Sequence, residues 1–182
     1  MADENKSNVV MTPPFRVAFA KCFTPDKDGK YKLVAIFPAG TDLTAMKALM
    51  KPAAEKKFGA AVPKGLRNPF RDAAEREGDY EGFEAGMTFI NLSSKFQPRI
   101  VDEKVQPIIN QKDFYSGCWA RATVNAFAYD TDGNKGVSFG VNDIQKIRDD
   151  KPFAGRPEVK DVFKPVDGAA APAPAADDDF MS

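Results

Sequence analysis

The stretch from Tyr115 to Ile147 constrains the fold more than any other part of the chain. From Cys118 to Tyr129 the residues alternate. Cys118, Ala120, Ala122, Val124, Ala126 and Ala128 hold the even positions, and Trp119, Arg121, Thr123, Asn125, Phe127 and Tyr129 the odd ones. A sustained period of two predicts a long strand over Tyr115–Tyr129. Asp130-Thr-Asp-Gly-Asn134 supplies turn chemistry, and Lys135–Ile147 returns as the partner strand. The uniformly small, apolar face suits the crowded interior of a narrow barrel. The odd face offers rings, a cation and amide or hydroxyl groups, which is what a base-stacking platform needs. A second arrangement fits as well: Trp119, Phe127 and Tyr129 in the core and the alanines under a helix. A bulge would swap the faces midway.

The remaining segments are shorter. Phe15–Thr24 alternates with Phe15, Val17, Phe19, Lys21 and Phe23 on one face, and Thr24-Pro-Asp-Lys-Asp-Gly29 turns the chain into a second strand, Lys30–Phe37. Thr41–Phe58 has helical spacing, a cap at Thr41 or Asp42, a stop at Gly59, and Pro52 inside it as the expected kink or break. Residues 63–85 show no period. Met87–Leu92 and Phe96–Val101 read as short strands. The order predicts a mainly β, largely antiparallel domain over residues 13–165, with one helix between strands and irregular insertions. A small barrel and a compact sandwich both fit. Residues 1–12 read as a flexible N-terminal segment, and 166–182 as a disordered, Ala/Pro-rich acidic tail.

Charge sharpens the division. Lys+Arg and Asp+Glu are equal at 26 each, yet every cation precedes residue 165 and four acids follow it. The body therefore carries +4 and the tail −4. A basic body suits a polyanion, and the tail is then a tethered competitor. The tail ends in Asp177-Asp178-Asp179-Phe180, three acids beside one ring, which reads either as bait for a partner protein or as a solubilising end. There is no histidine, and the two cysteines, Cys22 and Cys118, have no zinc spacing. No phosphate-binding glycine loop, metalloprotease motif or calcium loop is present. No cofactor, metal site or catalytic residue is expected, and no enzyme. No stretch is apolar enough to span a bilayer, so an intracellular protein is expected.

Candidate nucleic-acid contacts follow from the same mixture of rings and cations. They are Trp119, Arg121, Asn125, Phe127 and Tyr129 on the long strand, Lys95, Phe96 and Arg99 in the Ser93–Arg99 connection, Tyr31 and Lys32 in the second strand, and Phe70 and Arg71 in the irregular stretch. In the Ser93–Arg99 connection a solvated loop with Phe96 tucked under the barrel fits equally.

Several segments together resemble a known family. They are Asn68-Pro-Phe-Arg71-Asp72, Phe89-Ile-Asn91, Ser94-Lys-Phe-Gln-Pro98-Arg-Ile-Val-Asp102, Tyr115-Ser-Gly-Cys-Trp-Ala-Arg121 and Gly136-Val-Ser-Phe-Gly140. The family is that of bacteriophage-encoded single-stranded DNA-binding proteins with an oligonucleotide/oligosaccharide-binding (OB) barrel, and the resemblance covers roughly residues 10–165. It implies coating and protection of single-stranded DNA during phage replication or recombination, in the cytoplasm of the infected host. It also implies recruitment of replication partners by the tail. Phe180 departs from the pattern, since Met181 and Ser182 follow it. The rival readings are a non-enzymatic interaction scaffold and a carboxylate metal-dependent nuclease.

Overall fold

The computed structural model describes residues 8–153; the expectations for the tail, for residues 1–7 and for 154–165 lie outside them. The strands are β1 (Val9–Met11), β2 (Phe15–Lys21), β3 (Tyr31–Phe37), β4 (Arg71–Asp72), β5 (Thr88–Ser94), β6 (Arg99–Val101), β7 (Trp119–Thr131) and β8 (Asn134–Arg148). Five of them run β7-β2-β3-β5-β8, and β8 pairs back onto β7, so the sheet closes into a barrel. Within this ring neighbours are antiparallel except β5 and β8, which are parallel; outside it β6 also runs parallel to β8. This is the mainly β, OB-like barrel expected, with β1, β4 and β6 added at its edges.

β7 keeps its alternation. Ala120, Ala122, Val124 and Ala126 are buried, and the odd residues face outward. The register shifts fall on its partner. Thr123 pairs with Asp143 but Val124 with Val141, leaving Asn142 as the extra residue. The inward row of β8 therefore moves from Val137, Phe139 and Val141 to Ile144 and Lys146. The alanines also leave room for helical residues, because Met46, Leu49, Ala53 and Ala54 share their core.

Three expectations for the first half are corrected. Val9–Met11 is not a free lead-in: β1 pairs with Thr123–Asn125 of β7, and the buried Thr12 exchanges hydrogen bonds with the backbone of Ala122. The helical stretch is broken near its middle, as expected, into α1 (Thr44–Lys47) and α2 (Met50–Phe58), but not at Pro52. The break lies at Ala48–Leu49, and Pro52 sits in the first turn of α2, where a missing N–H costs nothing. Neither Thr41 nor Asp42 caps the helix: the N-cap position of α1 is Leu43, which makes no side-chain cap hydrogen bond, and the Asp42 carboxylate accepts the Thr44 N–H at 3.0 Å in the turn just before it. Among the described residues no helix is long and apolar enough to cross a membrane.

A second, smaller core lies outside the barrel. Ala18, Val34, Ile36 and Phe89 point outward from β2, β3 and β5, and Ala73 and Phe83 of the irregular stretch cover them. That stretch is therefore packed rather than loose. Cys22 and Cys118 are buried and unpaired, and burial, reinforced by the neighbouring Cys118, pushes the Cys22 thiol up to about 12.

Candidate nucleic-acid interface

The outward face of the β7–β8 ribbon has a pattern the single strands hide. Asn125, Phe127 and Tyr129 stand directly opposite Gly140, Ser138 and Gly136. Opposed residues share a face. The large side chains of β7 lie across β8: a Cβ on Gly136 would meet the Tyr129 hydroxyl at 2.6 Å, and one on Gly140 would meet Asn125 Oδ1 at 3.0 Å. On its other side β8 runs beside β5, whose outward Asn91 and Ser93 oppose Val34 and Lys32 of β3. Small polar residues thus floor a groove across β3, β5 and β8.

Rings and cations stand along its lip. In β2 the pairing slips between Ala18 and Lys21, and Phe19 adopts φ +48°. A bulky residue in the left-handed region is strained, and such strain concentrates at working sites. Here the bulge turns Phe19 off the barrel interior, where plain alternation would put it, and leaves it 39% exposed. It packs edge-on against Tyr80 at 5.1 Å. Arg76, half-buried, sits within 4.6–6.0 Å of the rings of Phe19, Tyr80, Phe83 and Phe89, which hold its guanidinium in place. Phe19, Lys21, Lys32, Arg76 and Tyr80 form one end of the groove. Arg67, Phe70, Arg71 and Tyr129 form the other, and the two halves meet at Asn91 and Ser138.

The cations differ in freedom. Lys32 is ion-paired with Asp26, and that contact, with the N–H groups of Lys30 and Asp28, lowers the Asp26 carboxyl to about 2. Arg71 is paired with Glu75. Lys21, Arg67 and Arg76 are in no ion pair among the described residues, although Arg67 donates to Asn134 Oδ1 at 2.8 Å.

Of the residues expected from sequence, Lys32, Phe70, Arg71 and Tyr129 line this groove, and Phe70 is largely committed to packing on Phe139 at 5.6 Å. Asn125 and Phe127 line an adjoining cleft. The structure takes others elsewhere. The Trp119 indole N–H donates to Asp150 at 2.7 Å under the Arg148 guanidinium, and Arg121 donates to Gln145 at 2.8 Å. Arg99 clamps Asp143 through two hydrogen bonds of 2.6 and 2.9 Å. Tyr31 is half-buried opposite Ser94, while Lys95 and Phe96 extend beyond β5, Phe96 being 83% exposed. Phe96 is thus not tucked under the barrel. Asp177, Asp178, Asp179 and Phe180 lie outside the described residues. Sequence reading passed over Tyr80, Asn91, Ser93 and Ser138. Tyr80 hides in the turn-like Gly78–Gly82, and the polar residues carry no signal until the strands are paired. Among the described residues no three carboxylates or thiols converge as a metal site would need.

The fold has solved counterparts. The single-stranded DNA-binding protein of bacteriophage Enc34, solved in complex with single-stranded DNA, superposes with a TM-score of 0.68 at 19% identity, over 82% of this chain and 91% of that one. The single-stranded DNA-binding protein gp2.5 of bacteriophage T7 superposes with a TM-score of 0.62 at 16% identity, over 90% and 98%. In sequence, protein p50 of Acyrthosiphon pisum secondary endosymbiont phage 1 is 32% identical over 155 residues, 77% of this chain and 83% of that protein. Residues 8–181 match the family described as the single-stranded DNA-binding protein of Enterobacter phage Enc34. The barrel, its strand order and this match across almost the whole chain place the protein in that family of phage single-stranded DNA-binding proteins.

Proposed function

We propose that the chain binds single-stranded DNA along the groove over β3, β5 and β8, with little sequence preference, and so coats it during phage replication or recombination. The observation that carries this reading is the groove itself. Stacking rings stand at both ends (Phe19 and Tyr80, then Tyr129), cations lie beside each, and small polar residues form the floor. Rings accept any base, and cations take the backbone. Membership in a family of binding proteins rather than enzymes supports the same conclusion. The boundaries 13–165 and 166–182 serve as the working division between binding domain and tail, with Asp177–Phe180 as the segment suited to recruit replication proteins.

The test is a titration of fluorescent oligothymidine at several salt concentrations. Five groove cations (Lys21, Lys32, Arg67, Arg71 and Arg76) set an upper log–log salt slope of roughly −3.5, at about −0.7 per phosphate neutralised. Tyr80→Ala should weaken binding by about tenfold, within the range for losing one stacked base. Absence of binding at low salt, or binding indifferent to salt, would leave the scaffold reading in its place.

A further inference from the structure

The outward row of β7 continues past the groove. Tyr129 lines the groove, whereas Phe127, two positions earlier on the same row, lines a second cleft with Val9, Lys56, Lys57, Asn125 and Asn142. Phe127 also stands directly opposite Ser138, where the two halves of the groove meet. The two clefts are therefore lined by residues paired across β7 and β8, with no lining residue in common. Phe127 is 41% exposed although it is a large apolar residue on a barrel strand. Lys56 and Lys57 close α2, are exposed, and among the described residues pair with no carboxylate. Among the described residues no acidic side chain lines this cleft, and Glu55 on the same helix is 3.8 Å from Lys51. An exposed ring, two ammoniums and the amide side chains of Asn8, Asn125 and Asn142 reproduce the chemistry of the groove at its border.

We propose that this cleft is a second contact for the same strand: DNA leaving the groove past Tyr129 turns over Phe127 and lays its backbone against Lys56 and Lys57. This rests on the groove reading and lengthens the site it describes. Continuity with the groove and the sign of the charge select a nucleic-acid strand as the occupant.

Oligothymidines of about 5 and about 16 nucleotides, spanning the usual site sizes of such barrels, separate the two contacts. Lys56→Gln/Lys57→Gln should weaken the long oligonucleotide about tenfold at low salt and reduce its log–log slope by about 1.4, leaving the short one unchanged. Phe127→Ala should show the same length dependence. Lys51→Gln/Lys112→Gln, an equal charge change outside the cleft, should do neither. Equal weakening at both lengths, or a control that matches the double variant, overturns the proposal. If Lys56→Gln/Lys57→Gln instead tightens binding, and removal of residues 169–182 abolishes that effect, the cleft holds the acidic tail and the proposal is again overturned. If Tyr80→Ala weakens neither length, the groove reading itself falls and takes this one with it.

Discussion

Phe19 carries the most information of any single residue. Its φ of +48° is affordable to glycine and strained for phenylalanine. Phe19→Gly should relieve the strain and lose the ring together, leaving stability within about 1 kcal/mol of the parent protein. Phe19→Ala keeps the strained backbone and should be the less stable of the two by about 1 kcal/mol. Both should bind oligothymidine about tenfold more weakly; denaturant midpoints and titrations read the two effects separately. Trp119 offers a different readout. Its indole N–H, the Lys151 N–H and the nearby Arg16 and Arg148 hold the Asp150 carboxyl below the usual carboxylate range. Because the folded state keeps this proton off, the stabilisation is fully present above the unfolded value near 3.8 and is lost as pH falls through the lower folded value. Emission from Trp119, the only tryptophan, should therefore hold steady from pH 7 to about 4 and change only below it. Asp150→Asn should shift emission at neutral pH and remove that acid-side change.

At the scale of elements, the β7–β8 ribbon shows what periodicity can and cannot disclose. That β7 has one uniformly small face was legible because side-chain direction alternates locally and residue size is written in the chain; that this face turns inward was settled by the fold. The complementary outer face was not, since it depends on register. Only the pairing of Tyr129 with Gly136 shows why that position of β8 must be small. Gly136→Ala should push Tyr129 and Arg67 off the strand, because its Cβ would lie 2.9 Å from Arg67 Cβ. We expect a stability loss of about 1 kcal/mol and weaker DNA binding, whereas an alanine at Gly133, in the open tip of the hairpin, should affect stability alone. The helix shows the reverse problem. Pro52 was visible, but its position in a first turn rather than an interior was not, because the break at Ala48–Leu49 has no strong local signal.

At the scale of the whole molecule, the barrel is locked by the strap that follows β8. Arg16 donates to Lys151 O at 2.9 Å and stacks on Phe153 at 4.3 Å, and the Phe153 N–H donates to Ser116 O at 3.0 Å. Gly117 lies beneath, with φ +114°; a Cβ there would meet Lys151 O at 2.5 Å. Gly117→Ala should cost about 3 kcal/mol through backbone strain and a clash with main-chain atoms that cannot rotate away. A lowered denaturant midpoint with oligothymidine affinity retained in the folded protein would identify the effect as structural. The sequence by itself determined a mainly β domain, a long strand with one uniformly small face, and the opposed charges of body and tail, because periodicity, residue size and charge are properties of neighbours along the chain; the choice of barrel over sandwich came from strand pairing. Only the tertiary structure decided which outward residues act together. A bulge turns Phe19 outward, an aperiodic stretch folds back to set Arg76 and Tyr80 beside it, and Asp143, Gln145 and Asp150 engage Arg99, Arg121 and Trp119. Each of these rests on contacts between residues far apart in the chain, which local patterning does not record.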